Sequence, residues 1–296
     1  MQASHESSPQ IKIGFIGAGR LARALAWSLH SAGCCVYAVA SRNAANGAAL
    51  AEPIEHCQQL SMQEVADECD LVFITTPDSF IKPVVDSVQW HVGQGVVHCS
   101  GATEIAALGK ASDDGALIGG FHPMQTFGDP AAAAKSLPGC TITIEAEGDL
   151  NAMLARLAQQ LGCHINQLPA GARAKYHAAA GYSSQYINVV LAEAVRIWQS
   201  WGASESQALN ALLPMVRGTL SSIEAVGLAR GMPGPVSRGD EGTVEKHLAA
   251  LSELGIDTAR LYRDLCLRSV PLAEEAGGVD SDKAARIASI LHGLDG

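Results

Sequence analysis

Short apolar runs and helical segments alternate along the first half of the chain. Seven runs rich in β-branched and other apolar residues have the length of buried strands and end at glycine, proline or polar residues. Because helical segments separate them, we expect an α/β fold with a mostly parallel sheet covered by helices. The seven runs, all between residues 11 and 168, are IKIGFI, CVYAVAS, DLVFITT, GVVHCS, ALIGGFH, CTITIEA and CHINQL.

The pattern changes after Pro169. Residues 170–292 contain no convincing strand and carry long helical periodicity, including a helical run that starts near residue 172. The segment 227–242, GLARGMPGPVSRGDEG, is interpreted as a loop because its glycines and prolines exclude a continuous helix. We therefore divide the chain into a polar, disordered tail (residues 1–10), an α/β domain (11–168) and an all-helical domain (169–296).

Composition narrows the classes of partner. The 296 residues include 20 Lys and Arg against 30 Asp and Glu, so the net charge of −10 disfavours nucleic acid and anionic lipid surfaces. No apolar stretch approaches the roughly 20 residues of a membrane helix, and the first ten residues do not resemble a signal peptide. The eight cysteines have neither CxxC pairs nor metal-site spacing, so we expect reduced thiols, no metal and a cytoplasmic protein.

A glycine-rich turn follows the first predicted strand and opens the first helix. Gly17, Gly19 and Ala22 form the pattern G-x-G-x-x-A, with Arg20 and Leu21 between them. The first glycine permits a tight turn, the second admits a pyrophosphate to the backbone, and the small third residue lets the helix pack on the strand. Free N–H groups at the helix N-terminus favour an anion, so the turn predicts a dinucleotide site, with a glycine turn lacking any ligand as the alternative.

The end of the second strand indicates which dinucleotide is bound. An NAD enzyme usually has an acidic residue there for the ribose hydroxyls, whereas this chain has Ser41, Arg42 and Asn43. A guanidinium and a hydroxyl can bind a 2′-phosphate, so the sequence favours NADP(H) over NAD(H). An ordinary surface arginine is the alternative interpretation.

Two further strand ends carry polar residues. Thr75, Thr76 and Pro77 follow the third strand, and Cys99 and Ser100 follow the fourth. Ligands bind at the carboxyl edge of open α/β sheets, so we expect these turns to border the nicotinamide, with the Ser100 hydroxyl close to the substrate. Loop structure without ligand contact is the alternative.

Two histidines are candidates for catalysis. His122 follows a strand end and precedes a proline, so it either faces the cleft or caps the sheet edge. His177 lies on a predicted helix with a polar stripe within about 40° of it, among neighbours expected to be buried, so the stripe either meets a ligand or joins a helix–helix network. The stripe consists of Gly181, Ser184 and Asn188, flanked by Gln185, and the expected buried neighbours are Ala178, Ala179, Ala180, Ile187, Val189, Val190 and Leu191.

The glycine-rich segment of the second domain supplies two further candidates. Arg238 could clamp a substrate carboxylate, with a plain surface charge as the alternative. Asp240 could orient Arg238 or cap the following helix.

Several motifs together resemble a known family. GAGRLA, TTPD, HCSGA, FHPM, KYHAAA, GPVSRGD and TVEKHL look like a two-domain family of uncharacterised Rossmann-like oxidoreductases with a C-terminal domain of unknown function. That family is similar to pyrroline-5-carboxylate reductase, ketopantoate reductase, the 3-hydroxyacid dehydrogenases and prephenate dehydrogenase. The resemblance implies an NADP-binding Rossmann-like domain, a 6-phosphogluconate-dehydrogenase-like helical domain, a homodimer and an active site between the two domains.

This chain departs from its relatives at two positions. Lys175 is followed by Ala179, whereas ketopantoate reductase and the hydroxyacid dehydrogenases carry a Lys and Asn pair four residues apart. Gln185 stands where members of the family tend to have asparagine. The catalytic pair of those enzymes therefore does not carry over to this chain.

The sequence thus predicts an NADP-dependent oxidoreductase that moves hydride between nicotinamide and a small carbonyl or imine compound carrying a carboxylate. His177 or His122 would supply the proton, with Ser100 and Asn188 as further catalytic candidates. Ser184, Gln185, Arg238 and Asp240 would contact the substrate. The alternatives are a ketopantoate reductase or prephenate-dehydrogenase-like enzyme, and a non-catalytic NADP-binding redox sensor.

Overall fold

A single eight-stranded sheet forms the first half of the protein. The structure is a computed structural model that describes residues 10–293, so the predicted tail lies outside the described residues except for Gln10. All seven predicted strands are present, together with one unpredicted two-residue strand. The strands are β1 Lys12–Ile16, β2 Cys35–Ala40, β3 Gln58–Gln59, β4 Leu71–Ile74, β5 Gly95–His98, β6 Leu117–Pro123, β7 Thr141–Glu145 and β8 His164–Gln167.

The strand order creates one crevice at the carboxyl edge. The order is β3-β2-β1-β4-β5-β6-β7-β8, and only β6 and β7 run antiparallel. The chain leaves β1 for β2 and β3 on one side and returns to β4 on the other, which is the switch point where ligands bind in doubly wound sheets. The predicted Rossmann-like, mostly parallel sheet is confirmed.

Helices connect most of the strands, and the chain after β8 is mainly helical. Their bounds are α1 Arg20–Ser31, α2 Ala44–Ala51, α3 Met62–Glu68, α4 Asp78–Asp86, α5 Gly109–Asp113, α6 Pro130–Ser136, α7 Gly148–Gln160, α8 Arg173–Ser183, α9 Gln185–Gln199, α10 Glu205–Gly231, α11 Pro235–Arg238, α12 Glu241–Leu254, α13 Ile256–Glu275 and α14 Ser281–His292, with a 3₁₀ turn at Ile105–Leu108. No strand follows Gln167 in the part of the chain that the structure describes, as predicted.

Both faces of the sheet are covered. On one face, Phe15 stacks on Phe73 with ring centroids 5.2 Å apart, and Phe121 meets Phe73 edge to face at 5.5 Å. The three rings belong to the same core cluster as Leu25 and Leu29 of α1. On the other face, Ile16, Val72 and Ile74 pack with helix residues of α3 and α4. This double coverage explains why β1, β4 and β5 are apolar without alternation.

The chain forms two compact units, the first running to Ser184 and the second beginning at Gln185. The second unit has its own core, built around Val244, Val270 and Ile287. The first helix after the sheet, α8, belongs to the first unit. The domain boundary after residue 168 stays a prediction.

The predicted helical run near residue 172 is interrupted. Ser184 has φ −133° and ψ −73°, so α8 ends at Ser183 and α9 begins at Gln185. The expectation that the neighbours of the polar stripe are buried is wrong: most of them are exposed, because this part of the helices faces solvent in the single chain. Ala178, Ala179, Ile187, Val189 and Val190 are exposed, and Ala180 and Leu191 are half-buried.

The predicted loop 227–242 is more ordered than expected. Helix α10 extends to Gly231 across a non-helical residue, Gly227, and α11 occupies Pro235–Arg238. Pro235 is compatible with α11 because it occupies the first helical turn, where a backbone N–H would have no partner within the helix.

Candidate functional site

The glycine turn at the end of β1 is held against the end of β4. Gly17 has φ +112°, and a Cβ on it would lie 2.6 Å from the Thr75 carbonyl carbon and 2.8 Å from the Thr76 nitrogen. The Thr75 hydroxyl donates to the Gly17 carbonyl at 2.9 Å, which joins the two turns. Only glycine fits this close approach, so the turn is shaped by its neighbour as well as by its own backbone.

The N-terminus of α1 opens into empty space. Gly19 is the N-cap of α1, no side chain caps the helix, and a Cβ on Gly19 would meet no atom within 4 Å. The Arg20 side chain does not cap the helix, and its Nη1 donates to the Gly128 carbonyl oxygen at 3.4 Å. Uncapped N–H groups at the end of a long helix form a site for an anion.

A cleft of about 850 Å³ extends from this helix end along the carboxyl edge of the sheet. The candidate cofactor residues all line it: Gly17, Gly19, Arg20, Leu21, Ser41, Arg42, Thr75, Thr76, Pro77, Cys99 and Ser100. Its size falls within the range of small-molecule and cofactor sites.

The rim of the cleft beyond β2 is formed by Ser41 and Arg42. The Arg42 guanidinium lies over the ring of Phe80, 4.6 Å from the ring centroid, so an aromatic face orients it. No carboxylate lies within ion-pair distance of Arg42 in residues 10–293, which leaves its charge unneutralised at the cleft. Asn43 instead caps α2 by accepting from the Asn46 N–H.

The two threonines after β4 differ in their partners. The Thr75 hydroxyl is used in joining the turns, whereas the Thr76 hydroxyl oxygen is buried and has no hydrogen-bond partner. A buried hydroxyl without a partner is destabilising, so a ligand in the cleft that supplied one would be favoured. Pro77 is the N-cap residue of α4, where its missing N–H costs nothing.

Cys99 and Ser100 form the wall of the cleft after β5. Burial raises the pKa of the Cys99 thiol, so it remains a neutral apolar group. The Ser100 hydroxyl accepts from the backbone N–H groups of Ala102 and Thr103 and donates to the Thr103 hydroxyl at 3.0 Å. Its hydrogen-bonding capacity is occupied by its own turn, which favours a structural role for this hydroxyl.

The turn after Ser100 carries a cluster of aromatic and imidazole rings. His122 on β6 lies 2.6 Å from the Tyr176 hydroxyl through Nδ1, with the two rings at 87°. A Cβ on Gly101 would lie 2.9 Å from His122 Nε2 and 2.6 Å from His177 Cδ2. The structure therefore brings the two histidine candidates together around Gly101, one residue beyond the wall of the cleft.

A buried ion pair between Arg173 and Glu145 lies next to this cluster. Arg173, the first residue of α8, is 1% exposed, and its Nε lies 2.5 Å from a Glu145 carboxylate oxygen. Its Nη1 donates to the Ser100 carbonyl at 2.8 Å. Gly120 lets the guanidinium lie against β6, since a Cβ there would collide with Nη2. Arg173 thus joins α8 to β6, to β7 and to the turn after β5.

Burial, together with nearby positive charge that includes Arg173, keeps His122 and His98 neutral. Burial, His177 and Arg173 lower the pKa of His122 to about 4, with Asp78 acting weakly in the opposite direction. Burial and Arg173 lower the pKa of His98, which is fully buried under the same turn, to about 3. Burial raises the pKa of the Tyr176 hydroxyl. His122 is therefore a neutral imidazole at pH 7.

The other residues of the predicted polar stripe fall on both sides of the helix break. Ser184 is the last residue of the first unit, and its hydroxyl donates to the Ala180 carbonyl at 2.7 Å. Gln185 and Asn188 are exposed on α9 in the second unit. Their substrate and catalytic roles stay predictions.

Two candidate substrate residues, Arg238 and Asp240, lie close together in sequence in the second unit, and of the two only Asp240 has side-chain hydrogen bonds within the described residues. Asp240 accepts from the Thr243 N–H at 3.1 Å and from the Thr243 hydroxyl at 2.7 Å, which lowers its pKa and caps α12. Arg238 is exposed at the end of α11. The cap was one of the two roles predicted for Asp240, and the carboxylate-binding role of Arg238 stays a prediction.

Sequence reasoning missed four residues in or next to this cluster: Arg173, Glu145, His98 and Tyr176. Glu145 alternates with apolar residues in β7, and Arg173 opens a helix, so both have the pattern of surface charges. Tyr176 stands in the KYHAAA motif, directly before His177, and its place there was the available signal. The pairing of His122 with Tyr176 depends on contacts across 54 residues, which no local pattern records.

Within residues 10–293, no helix combines the length and hydropathy needed to cross a bilayer. The same part of the chain contains no group of three His, Cys, Asp or Glu side chains placed to hold a metal. All eight cysteines are free thiols.

Comparison with protein families identifies two successive domains. A Rossmann-like domain matches residues 1–123, and a domain of unknown function, DUF2520, matches residues 140–269. They follow one another as the motif resemblance implied, so the chain has that two-domain organisation. A search of curated proteins finds no match.

Solved structures share the fold at low sequence identity. A protein from Thermotoga maritima, TM1727, is 22% identical with a TM-score of 0.72, over 89% of this chain and 98% of that one. A reductive aminase from Aspergillus terreus, in complex with NADPH and ethyl levulinate, is 19% identical with a TM-score of 0.63, over 96% and 99% of the two chains. A pyrroline-5-carboxylate reductase from Coxiella burnetii is 16% identical with a TM-score of 0.59, over 90% and 98%.

Proposed function

We propose that this protein is an NADP-dependent oxidoreductase that transfers hydride between nicotinamide and a small carbonyl or imine substrate. The observation that carries the proposal is the uncapped N-terminus of α1, opening through Gly17 and Gly19 into a cleft with the unpaired cation Arg42 at its rim. This arrangement suits a pyrophosphate at the helix end and a 2′-phosphate at the rim.

The residues present fit the cofactor. A bound NADP(H) would supply the hydride, which is the chemistry that the protein's own side chains lack. The α1 N-terminus would hold the pyrophosphate, Ser41 and Arg42 the 2′-phosphate, and the buried Thr76 hydroxyl would gain the partner it lacks. The carboxyl ends of β4 and β5 would border the nicotinamide.

The substrate class is inferred from relatives and from the ring cluster. The similar folds include a reductive aminase and a pyrroline-5-carboxylate reductase, whose names indicate carbonyl, imine or carboxylate chemistry. His122, Tyr176 and His177 place exchangeable protons one residue beyond the cleft wall at Ser100. We therefore propose a small carbonyl or imine that carries a carboxylate as the substrate.

The proposal is tested first by cofactor binding. Purified wild-type protein and Arg42→Ala are titrated with NADPH and with NADH, following nicotinamide fluorescence. Charge-assisted hydrogen bonds to a phosphate contribute about 1.5–3 kcal/mol, so we expect Arg42→Ala to weaken NADPH binding by roughly 10- to 150-fold and to leave NADH binding unchanged.

Arg156→Ala is the matched control, because Arg156 is an exposed arginine on α7 outside the cleft. It removes the same charge and should leave both affinities unchanged. Absence of binding by either nucleotide to the wild type would contradict the proposed function, and equal weakening by both substitutions would contradict the assignment of Arg42.

We also propose that the protein acts as a homodimer through α9 and α10. These packed neighbours expose eight large apolar side chains, and a soluble chain rarely leaves such a surface uncovered. A second copy is the occupant we propose, since the family resemblance implies a dimer built by the helical domain. The exposed side chains are Tyr186, Ile187, Val189, Val190, Met215, Leu220, Val226 and Leu228. A cytoplasmic location is part of this proposal, because eight free thiols suit a reducing compartment.

A further inference from the structure

A line of hydrogen-bonding side chains crosses three strands and ends at His122. His122 on β6 is the cross-strand partner of Thr143 on β7, and Thr143 is the partner of Asn166 on β8. The Asn166 side-chain amide donates to the Thr143 hydroxyl at 3.1 Å. The Thr143 side chain lies near the Tyr176 hydroxyl and lowers its pKa, against the larger effect of burial. The Tyr176 hydroxyl lies 2.6 Å from His122 Nδ1.

The donors and acceptors along this line allow a proton path towards His122. The amide nitrogen of Asn166 can only donate, so the Thr143 oxygen accepts there and its single proton is left for Tyr176. With that proton directed at the Tyr176 oxygen, the Tyr176 proton points to His122 Nδ1. In this arrangement Nδ1 is the acceptor, and a neutral imidazole carries its proton on Nε2.

His122 Nε2 is on the side of the ring where a substrate could meet it. It faces Gly101, directly after the cleft wall at Ser100, and Gly101 has no side chain to block it. Nothing in residues 10–293 hydrogen-bonds His122 Nε2, whereas Nδ1 is occupied by Tyr176.

We infer that Tyr176 is the source of the proton in the carbonyl reduction, and that His122 relays it from Nδ1 to Nε2 and on to the substrate oxygen. This inference rests on the proposed function and deepens it, because the sequence alone selected the histidines themselves as donors. Thr143 and Asn166 are positioning residues that orient the Tyr176 hydroxyl.

The proton transfer balances. When the carbonyl carbon receives hydride, the electron pair of the C=O π bond moves to oxygen, which takes the proton from His122 Nε2. His122 Nδ1 takes the Tyr176 proton, so the imidazole is neutral again. The tyrosinate accepts the Thr143 hydrogen bond, faces the nearby charge of Arg173 and regains a proton from water.

The electrostatics of the site favour a proton source other than an imidazolium. Burial, His177 and Arg173 hold His122 neutral against a weak opposing effect of Asp78, so few molecules carry an imidazolium at pH 7. Glu145 neutralises part of the Arg173 charge through the ion pair. The Tyr176 hydroxyl, whose pKa is raised by burial, stays protonated throughout the neutral range.

The first test reads the proton position without any substrate. Nitrogen-15 NMR of histidine-labelled protein at pH 7 should show His122 as the Nε2–H tautomer, assigned by its loss in His122→Gln. Tyr176→Phe should shift the His122 Nδ1 resonance, whereas Tyr37→Phe should leave it unchanged, because Tyr37 lies outside the cleft against Lys12. An Nδ1–H tautomer or an imidazolium at pH 7 would overturn the relay.

The second test separates proton donation from folding and positioning. A small α-keto acid needs a proton on oxygen, whereas an N-methylated cyclic iminium needs only hydride. Tyr176→Phe should lower keto acid turnover by about 10²- to 10⁴-fold and leave iminium turnover within about threefold. Equal losses on both compounds, or no loss on either, would overturn the assignment of Tyr176.

The outcomes also separate this inference from the proposed function. If the wild type binds no NADPH, or binds it and reduces neither compound, the proposed function fails for these substrates. The tautomer of His122 still decides the direction of the hydrogen-bond line in that case. A normal NADPH titration with Tyr176→Phe shows that the variant is folded.

Discussion

His98 and His122 are held neutral at the edge of the sheet, and this state has a consequence for stability. An unfolded histidine titrates near pH 6.5, whereas burial and Arg173 lower the pKa of His122 to about 4 and of His98 to about 3. Between these values the unfolded chain binds protons that the folded chain does not. The free energy of unfolding therefore falls as the pH falls through this window.

We predict that urea unfolding at pH 7.5, 6 and 5 shows this loss. Each histidine should contribute a slope approaching about 1.4 kcal/mol per pH unit below pH 6. His98→Gln should remove one of the two contributions and flatten the curve, because a glutamine does not titrate. A slope in His98→Gln equal to that of the wild type would contradict the neutral state of His98.

For single site residues, the sequence predicts where a side chain lies better than it predicts what the side chain does. The glycine turn and the residues after β4 and β5 line the cleft as expected, because strand ends converge at one edge whatever their contacts. Their roles depend on distant partners. The Ser100 hydroxyl is occupied by Thr103, and the open hydroxyl of the TTP turn belongs to Thr76, not Thr75.

Helix α8 is attached to the sheet by a charge at its first residue. Arg173 connects α8 to Glu145 on β7 and to the turn after β5, with both charged groups almost fully buried. Removing one partner leaves the other charge buried without compensation, which typically costs about 3–5 kcal/mol. The attachment also sets the position of Tyr176 and His177, which follow on the same helix.

We predict that the Arg173–Glu145 pair is strongly coupled in a double-mutant cycle. Arg173→Met and Glu145→Gln should each lower the unfolding free energy by about 3–5 kcal/mol, and the double variant should lose about 0.5–3 kcal/mol less than their sum.

The exposed pair Lys82–Asp86, 2.8 Å apart on α4, is the matched control, and Lys82→Met with Asp86→Asn should show coupling below about 1 kcal/mol. Strict additivity at Arg173 and Glu145 in chemical unfolding would mean that the two charges do not stabilise one another.

Elements were predictable where a local pattern sufficed. The seven strands follow from apolar runs of the right length, and β3, with two polar residues, has no pattern to detect. The break between α8 and α9 carries neither glycine nor proline, so the helical periodicity continues through Ser184 although the backbone does not. The proline of α11 suggested a loop because its place in the first turn was not apparent from composition.

The whole molecule combines a large negative charge with an exposed apolar surface. A net charge of −10 keeps copies of the chain apart unless a specific surface offsets the repulsion. We propose that the exposed apolar side chains of α9 and α10 form such a surface. Burying a single large side chain of this kind contributes about 1.5–3 kcal/mol, so several of them favour association over repulsion.

We therefore predict a dimer in size-exclusion chromatography with light scattering, and its disruption by a charge on α10. Leu220→Glu should give a monomer or a dimer weakened by at least about 10-fold, since a buried carboxylate costs more than the apolar contact it replaces. Val92→Glu is the control, because Val92 is 87% exposed and belongs to the first unit, whereas both helices belong to the second.

A wild type that elutes as a monomer would contradict the dimer. A dimer unaffected by Leu220→Glu would place the interface away from Leu220. The corresponding substitution on α9, Val190→Glu, then shows whether α9 forms the interface instead of α10. NADPH titration of the monomeric variant separates cofactor binding from association, because the residues that line the cleft all belong to the first unit. Cofactor binding should therefore survive loss of the dimer.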